Sequence, residues 1–250
     1  MHNKKLFWLH IKKAAGTSTR ALLQQHYVEV DRKNKPKNFI QATPDEYNDI
    51  LNNYRVVLGD YQFKRSLFAK THLYPDQWND MYSFAFSREP IDRCVSMFHY
   101  LFSRGKDVGH LRTMLHSVKN LLMTRKRASS TSYAFDVFLD YAHGARQSDS
   151  IYQPLGNHFT THTAPMWEDI TDLDGNVLLK EVFRLEALIE GINRAFCECG
   201  IDQRLESSDE PFRKKKLNRQ RYAPSRSQIQ KIEQIYPQDF EVYETAWHKA

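Results

Sequence analysis

The sequence predicts an α/β domain built on a parallel sheet, and three observations carry that reading. Four short apolar runs, residues 6–11, 54–58, 81–86 and 176–183, are too brief for helices and end in polar or charged turns. Three of them lead into helical patterns, the order that parallel strands joined by crossover helices require. The chain of 250 residues is 41% hydrophobic, with 15 Phe and 13 Tyr, enough to fill the core of a single domain over residues 1–250.

Residues 6–23, LFWLHIKKAAGTSTRALL, set the pattern. An apolar run (Leu6, Phe7, Trp8, Leu9, Ile11) meets a cationic small-residue turn (Lys12, Lys13, Ala14, Ala15, Gly16). Thr17 and Ser18 then open a helix through Leu22 and Leu23. Amides at a helix start have no intrahelical acceptor and stand at the positive end of its dipole, so this turn suits phosphate or a similar anion. Gly, Ser and Thr also serve ordinary turn geometry and capping, and the stretch alone leaves both readings open. Its lysines precede the glycine, so the GxxxxGK[ST] pattern is missing and an ordinary ATPase or GTPase is disfavoured.

Residues 29–53 are polar and read as a surface loop, and 54–58 (YRVVL) as a second buried strand ended by Gly59 and Asp60. Asp60 is a candidate by position, since strand ends of parallel sheets present functional groups. Lys70 and His72 close a short apolar segment before the turn at Pro75. Residues 81–86 (MYSFAF) are the third strand, and Pro90 suits the first turn of the next helix, whose buried face is Ile91, Val95, Phe98, Leu101 and Phe102. Arg88 at the strand terminus and Ser96 on the helix's first turns can grip a phosphate; Arg88 can equally pair with Glu89 or Asp92.

Further on, helical spacing predicts helices over 108–127 and 133–141, with a break at 129–132. Residues 153–174 read as irregular, Pro165 arguing against a stable helix. His158 and His162 stand four apart there, but no Glu follows His158 as HExxH demands, so an acceptor-site loop is preferred to a metal site. Residues 176–183 are the fourth strand and 185–200 a helix stopped by Gly200. Seven basic residues between Arg213 and Arg226 form a solvated loop, touch nucleic acid, or close over an anionic ligand. Ser225 caps a last helix over 228–236.

The formal charge of +6 and pI near 9.1 fit an anionic cofactor or substrate without requiring nucleic acid. Cys94, Cys197 and Cys199 make no disulfide framework and no zinc set, so a reducing compartment is the default. No apolar run reaches the length of a membrane span, and the expectation is a cytoplasmic protein.

The two phosphate-prone units, taken together and in order, resemble sulfotransferases that use 3'-phosphoadenosine 5'-phosphosulfate. The carbohydrate-type motif is approximately HIPKTGGTS, and HIKKAAGTS matches it at His10, Ile11, Lys13, Gly16, Thr17 and Ser18. The second motif is approximately FxFxRxPxDRxxSxY, and FAFSREPIDRCVSMF matches at Phe84, Phe86, Arg88, Pro90, Asp92, Arg93 and Ser96. Weaker similarity runs through Arg184, Glu186 and Leu188 and the C-terminal IYPQDFEVY. Lys12 replaces the usual proline, Ala14 and Ala15 replace Thr and the first Gly, and Asp60 stands where many relatives carry the His of a Gly-His pair.

The resemblance implies a three-layer α/β/α, P-loop NTPase-like fold and transfer of a sulfuryl group to an acceptor hydroxyl, with the carbohydrate-type motif favouring a sugar hydroxyl, and with no metal and no nucleic-acid partner. It gives Lys13 the bridging oxygen, and the backbone from Ala15 to Ser18 with the Thr17 and Ser18 hydroxyls the 5'-phosphate. Arg88 and Ser96 take the 3'-phosphate. For the base it favours His72, because KTHL resembles the segment bearing the catalytic histidine of cytosolic sulfotransferases; Asp60 is second, with His158 and His162 behind. The alternatives are a P-loop-like kinase, a nucleic-acid-binding module and a non-catalytic member of the same fold.

Overall fold

The computed structural model describes residues 5–102, 131–147, 156–209 and 222–248. Among them three strands form one sheet: β1 (Leu6–Leu9), β2 (Tyr82–Ser87) and β3 (Glu181–Arg184), in the order β1-β2-β3 with both pairings parallel. Leu9 pairs with Ala85 and Ser87 with Arg184, so the chain leaves all three strands at one edge. This register sets the turn after β1 beside the one after β2, although the two are far apart in sequence.

The helices are α1 (Gly16–Leu23), α2 (Pro44–Asn53), α3 (Arg65–Phe68, continued by a π turn Ala69–Leu73), α4 (Pro90–Phe102) and α5 (Thr131–Gln147). They are followed by α6 (Gly156–Thr163), α7 (Met166–Ile170), α8 (Leu188–Cys199), α9 (Arg226–Ile235) and α10 (Pro237–Thr245). Side chains alternate across β1 and so divide the core. Phe7 and Leu9 pack with Tyr47, Ile50 and Leu51 of α2 and Phe68 of α3, while Trp8 joins Leu23 of α1 and Leu188, Ile192 and Phe196 of α8. Helices therefore cover both faces, the three-layer arrangement that the order of elements predicts. A third cluster joins α4, α5, α6 and α9 through Phe98, Phe135, Phe138, Phe159 and Ile232. Burying each such side chain contributes roughly 1.5–3 kcal/mol.

Elsewhere the structure corrects the sequence. The run 54–58 is not a strand: Tyr54, Val56 and Leu58 lean on the core formed with α2, Val57 is 60% exposed, and no sheet neighbour pairs with the segment among the described residues. Its alternation records one packed face without a ladder. The polar stretch before it is not all loop, because α2 starts at a capping box in which Thr43 and Glu46 satisfy each other's backbone amides, with Pro44 at the first helical position. Pro165 does not prevent helix formation in 156–170; it stands at the N-cap of α7 and separates two helices. Helix α5 is longer than the predicted 133–141. The expectations for 108–127 and for the basic segment 213–221 lie outside the described residues.

Candidate active site

The turn after β1 is fastened by its carbonyl groups. Arg65 Nη1 donates to the His10 carbonyl (3.0 Å), Arg93 Nε to that of Lys12 (3.1 Å) and Arg88 Nη1 to that of Lys13 (3.2 Å). Asn52, at the end of α2, donates to the Trp8 carbonyl (2.7 Å) and accepts the His10 N–H (2.8 Å). Its own carbonyl takes the His10 Nδ1–H (3.0 Å) and Lys12 Nζ. Two of the arginines are held in turn: Arg65 grips Asp169 with Nε and Nη2 (2.7 and 2.6 Å), and Arg93 reaches Asp239 (3.0 Å) and the Ala164 carbonyl (2.6 Å). Hydrogen bonds from charged donors are the strong ones, worth roughly 1.5–3 kcal/mol each.

This fastening decides what the turn presents. C=O and N–H point oppositely across a trans peptide, so the Arg93 bond to the Lys12 carbonyl directs the Lys13 N–H away from the arginine. The first hydrogen bond of α1 runs from Thr19 N to the Ala15 carbonyl (3.0 Å), so the helix itself uses none of the Gly16, Thr17 and Ser18 amides. Lys13 (φ 69°) and Ala15 (φ 56°) are left-handed, a conformation costing roughly 1–2 kcal/mol for a residue with a Cβ. Gly16 serves a different end: a Cβ there would stand 1.7 Å from His10 Nε2, so the imidazole can lie over the helix start only if residue 16 is glycine.

Basic groups crowd the turn. Burial, then the charges of Lys12 and Arg65, hold His10 well below the usual histidine range, so it is neutral at pH 7. Lys12 is 7% exposed, and burial followed by Arg65 lowers its ammonium well below the ordinary lysine value. Lys13 takes the opposite course and lies over the ring of Tyr100 on α4, 4.1 Å from its centroid. His162 of α6 stacks on that same ring (4.7 Å, 21°) and touches His158 at 4.4 Å. Burial, then His158 and Lys12, lower the His162 pKa well below its usual value.

A turn of this build, with helix-start amides, an outward lysine and an arginine from the next strand, is suited to gripping a phosphorylated ligand. The sequence profile of the sulfotransferase family matches residues 1–245. The chain belongs to the sulfotransferase family. No curated protein and no solved structure gives a match. Among the described residues of this sulfotransferase, no helix is long and apolar enough to cross a membrane, and no cluster of three or more His, Cys, Asp or Glu side chains is placed to hold a metal ion.

The sulfotransferase fold brings part of the predicted set together. Lys13, Ala15, Gly16, Thr17 and Ser18 share the turn, and Arg88 joins it by bonding the Lys13 carbonyl while its other arm lies 3.7 Å from Asp92, the pairing the sequence also allowed. Ser96 is half-buried on α4. His72 is exposed on the π turn after α3, with Phe39, Tyr61 and Phe68 as its ring partners. Asp60 is exposed in the turn Gly59–Tyr61. Neither has a described contact with the turn after β1. Sequence reasoning missed Asn52, Arg65 and Tyr100 and assigned no role to Arg93. The Thr43-Pro44-Asp45-Glu46 capping box could have revealed α2 and so Asn52, and Arg93 stands in the second motif; nothing local marks Arg65 or Tyr100.

Proposed function

We propose that this sulfotransferase takes its sulfuryl group from 3'-phosphoadenosine 5'-phosphosulfate and passes it to a hydroxyl, with carbohydrate as the first acceptor class to test. The observation that carries the reading is the pair of adjoining turns: Arg88, from the end of β2, is bonded to the Lys13 carbonyl in the turn after β1. A ligand with phosphate at two places spans both motifs, whereas a single phosphate needs one.

The donor supplies the sulfuryl group and a bisphosphate leaving group. In this reading the Gly16, Thr17 and Ser18 amides and the Thr17 and Ser18 hydroxyls hold the 5'-phosphate. Arg88 releases Asp92, an exposed partner at 3.7 Å, to take the 3'-phosphate with Ser96. Lys13, over the Tyr100 ring, meets the charge that develops on the bridging oxygen. A base must also take the acceptor's proton, and the resemblance offers His72 and then Asp60 for it. In this proposal residues 1–250 act as one sulfotransferase domain.

Calorimetry tests the donor class. Adenosine 3',5'-bisphosphate is expected to bind without magnesium and ATP at least tenfold more weakly. Magnesium-dependent ATP binding in preference to the bisphosphate would support the kinase alternative instead.

A further inference from the structure

The base can be sought from the geometry rather than from the motif. A general base beside Lys13 needs an accessible lone pair, a tautomer that exposes it, and neutrality at working pH. His162, half-buried on α6, has the tautomer and the neutrality. Its Nδ1–H donates to the His158 carbonyl at 2.8 Å, one turn back on α6, which leaves Nε2 as the unprotonated nitrogen. Nε2 has no hydrogen-bond partner among the described residues. The imidazole is stacked on Tyr100, the ring that carries Lys13 on α4's side of the site. Among the described residues His72 has ring contacts only, and no hydrogen bond there sets its tautomer.

We propose that Nε2 of His162 is the group that takes the proton from the acceptor hydroxyl. The inference rests on the sulfuryl-transfer reading above. In the step, the acceptor oxygen forms a bond to sulfur as the bond from sulfur to the bridging oxygen breaks; that electron pair stays on the 5'-phosphate of the departing bisphosphate, beside Lys13. The acceptor's proton goes to Nε2, and His158 through its carbonyl holds the ring in place. The groups around His162 favour its neutral form: Lys12, Lys13 and the neutral His10 on the turn, His158 on its own helix and the Tyr100 face on α4. Such a base stays deprotonated at pH 7 and loses competence only as pH falls below the ordinary histidine range.

Water can stand in for the unidentified acceptor, so release of bisphosphate from the donor reads the step directly. His162→Asn keeps an N–H for the His158 carbonyl and removes Nε2. Donor hydrolysis is expected to fall about 10²–10⁴-fold and lose its acid limb, while the dissociation constant for adenosine 3',5'-bisphosphate stays within about threefold. Imidazole ¹⁵N NMR of the wild-type protein is expected to show His162 as the Nδ1–H tautomer at pH 7, a reading that needs no variant to fold. Near-wild-type hydrolysis by His162→Asn, an Nε2–H tautomer, or an acid limb that moves in His72→Asn and not in His162→Asn would overturn the proposal. Wild-type protein that does not bind the bisphosphate would instead overturn the donor assignment.

Discussion

The turn after β1 and the helix carrying His158 and His162 meet at one ring, that of Tyr100, yet they are built by opposite means. The turn is made of backbone: its carbonyls are drawn to Arg65, Arg88 and Arg93, and its amides and one lysine are what it offers. The helix offers a side chain, with one backbone carbonyl setting a tautomer. Backbone-built sites demand particular residues at fixed spacing, as Gly16 is demanded by the His10 ring. A side-chain site needs only that some imidazole arrive at the right place, and helix α6 delivers one from a region with no motif.

The contrast can be broken most severely at Arg93. Its ion pair with Asp239 is buried on both sides, 2% and 1% exposed, and its Nε holds the Lys12 carbonyl. Arg93→Met leaves a buried carboxylate uncompensated and is expected to cost about 3–5 kcal/mol in denaturant unfolding. Adding Asp239→Leu should restore much of that stability while bisphosphate affinity stays reduced. Recovery of both together would mean the arginine matters for folding alone.

A smaller effect sharpens the same comparison. Ala15 holds a left-handed conformation at the position where the family motif has glycine. Ala15→Gly relieves strain of roughly 1–2 kcal/mol and gives back part of it through the freer unfolded chain. A rise in thermal midpoint worth about 0.5–1 kcal/mol is expected, and a fall would show that the turn gains from the methyl group.

Much of this was legible in the sequence, for physical reasons that differ by region. The strands 6–9 and 82–87 are largely apolar because helices cover both faces of the sheet, whereas the predicted strand 176–183 forms only over 181–184, where Glu181 and Arg184 flank Val182 and Phe183 and Phe183 alone is buried. Residues 54–58 show the limit: one packed face gives a strand-like alternation whether or not a neighbour pairs with it. Lys13, Gly16 and Arg88 were legible because backbone geometry fixes their spacing. Arg65 and Asn52 were not, because they reach the turn from α3 and α2, and no local pattern says which polar side chain will meet a carbonyl fifty residues away. Lys12 looked like a simple loss of proline. In the fold its Nζ bonds the Asn52 carbonyl, a tether in place of a rigid ring.

Lys12 is buried while Lys13 is half-buried over the Tyr100 ring, and in the proposed reaction it is Lys13 that meets the charge developing in sulfuryl transfer. The direct test is donor turnover by Lys13→Ala, read as bisphosphate release alongside thermal unfolding. The account predicts a loss of about 10²–10³-fold with the unfolding midpoint nearly unchanged. Turnover within a few-fold of the wild type would contradict it.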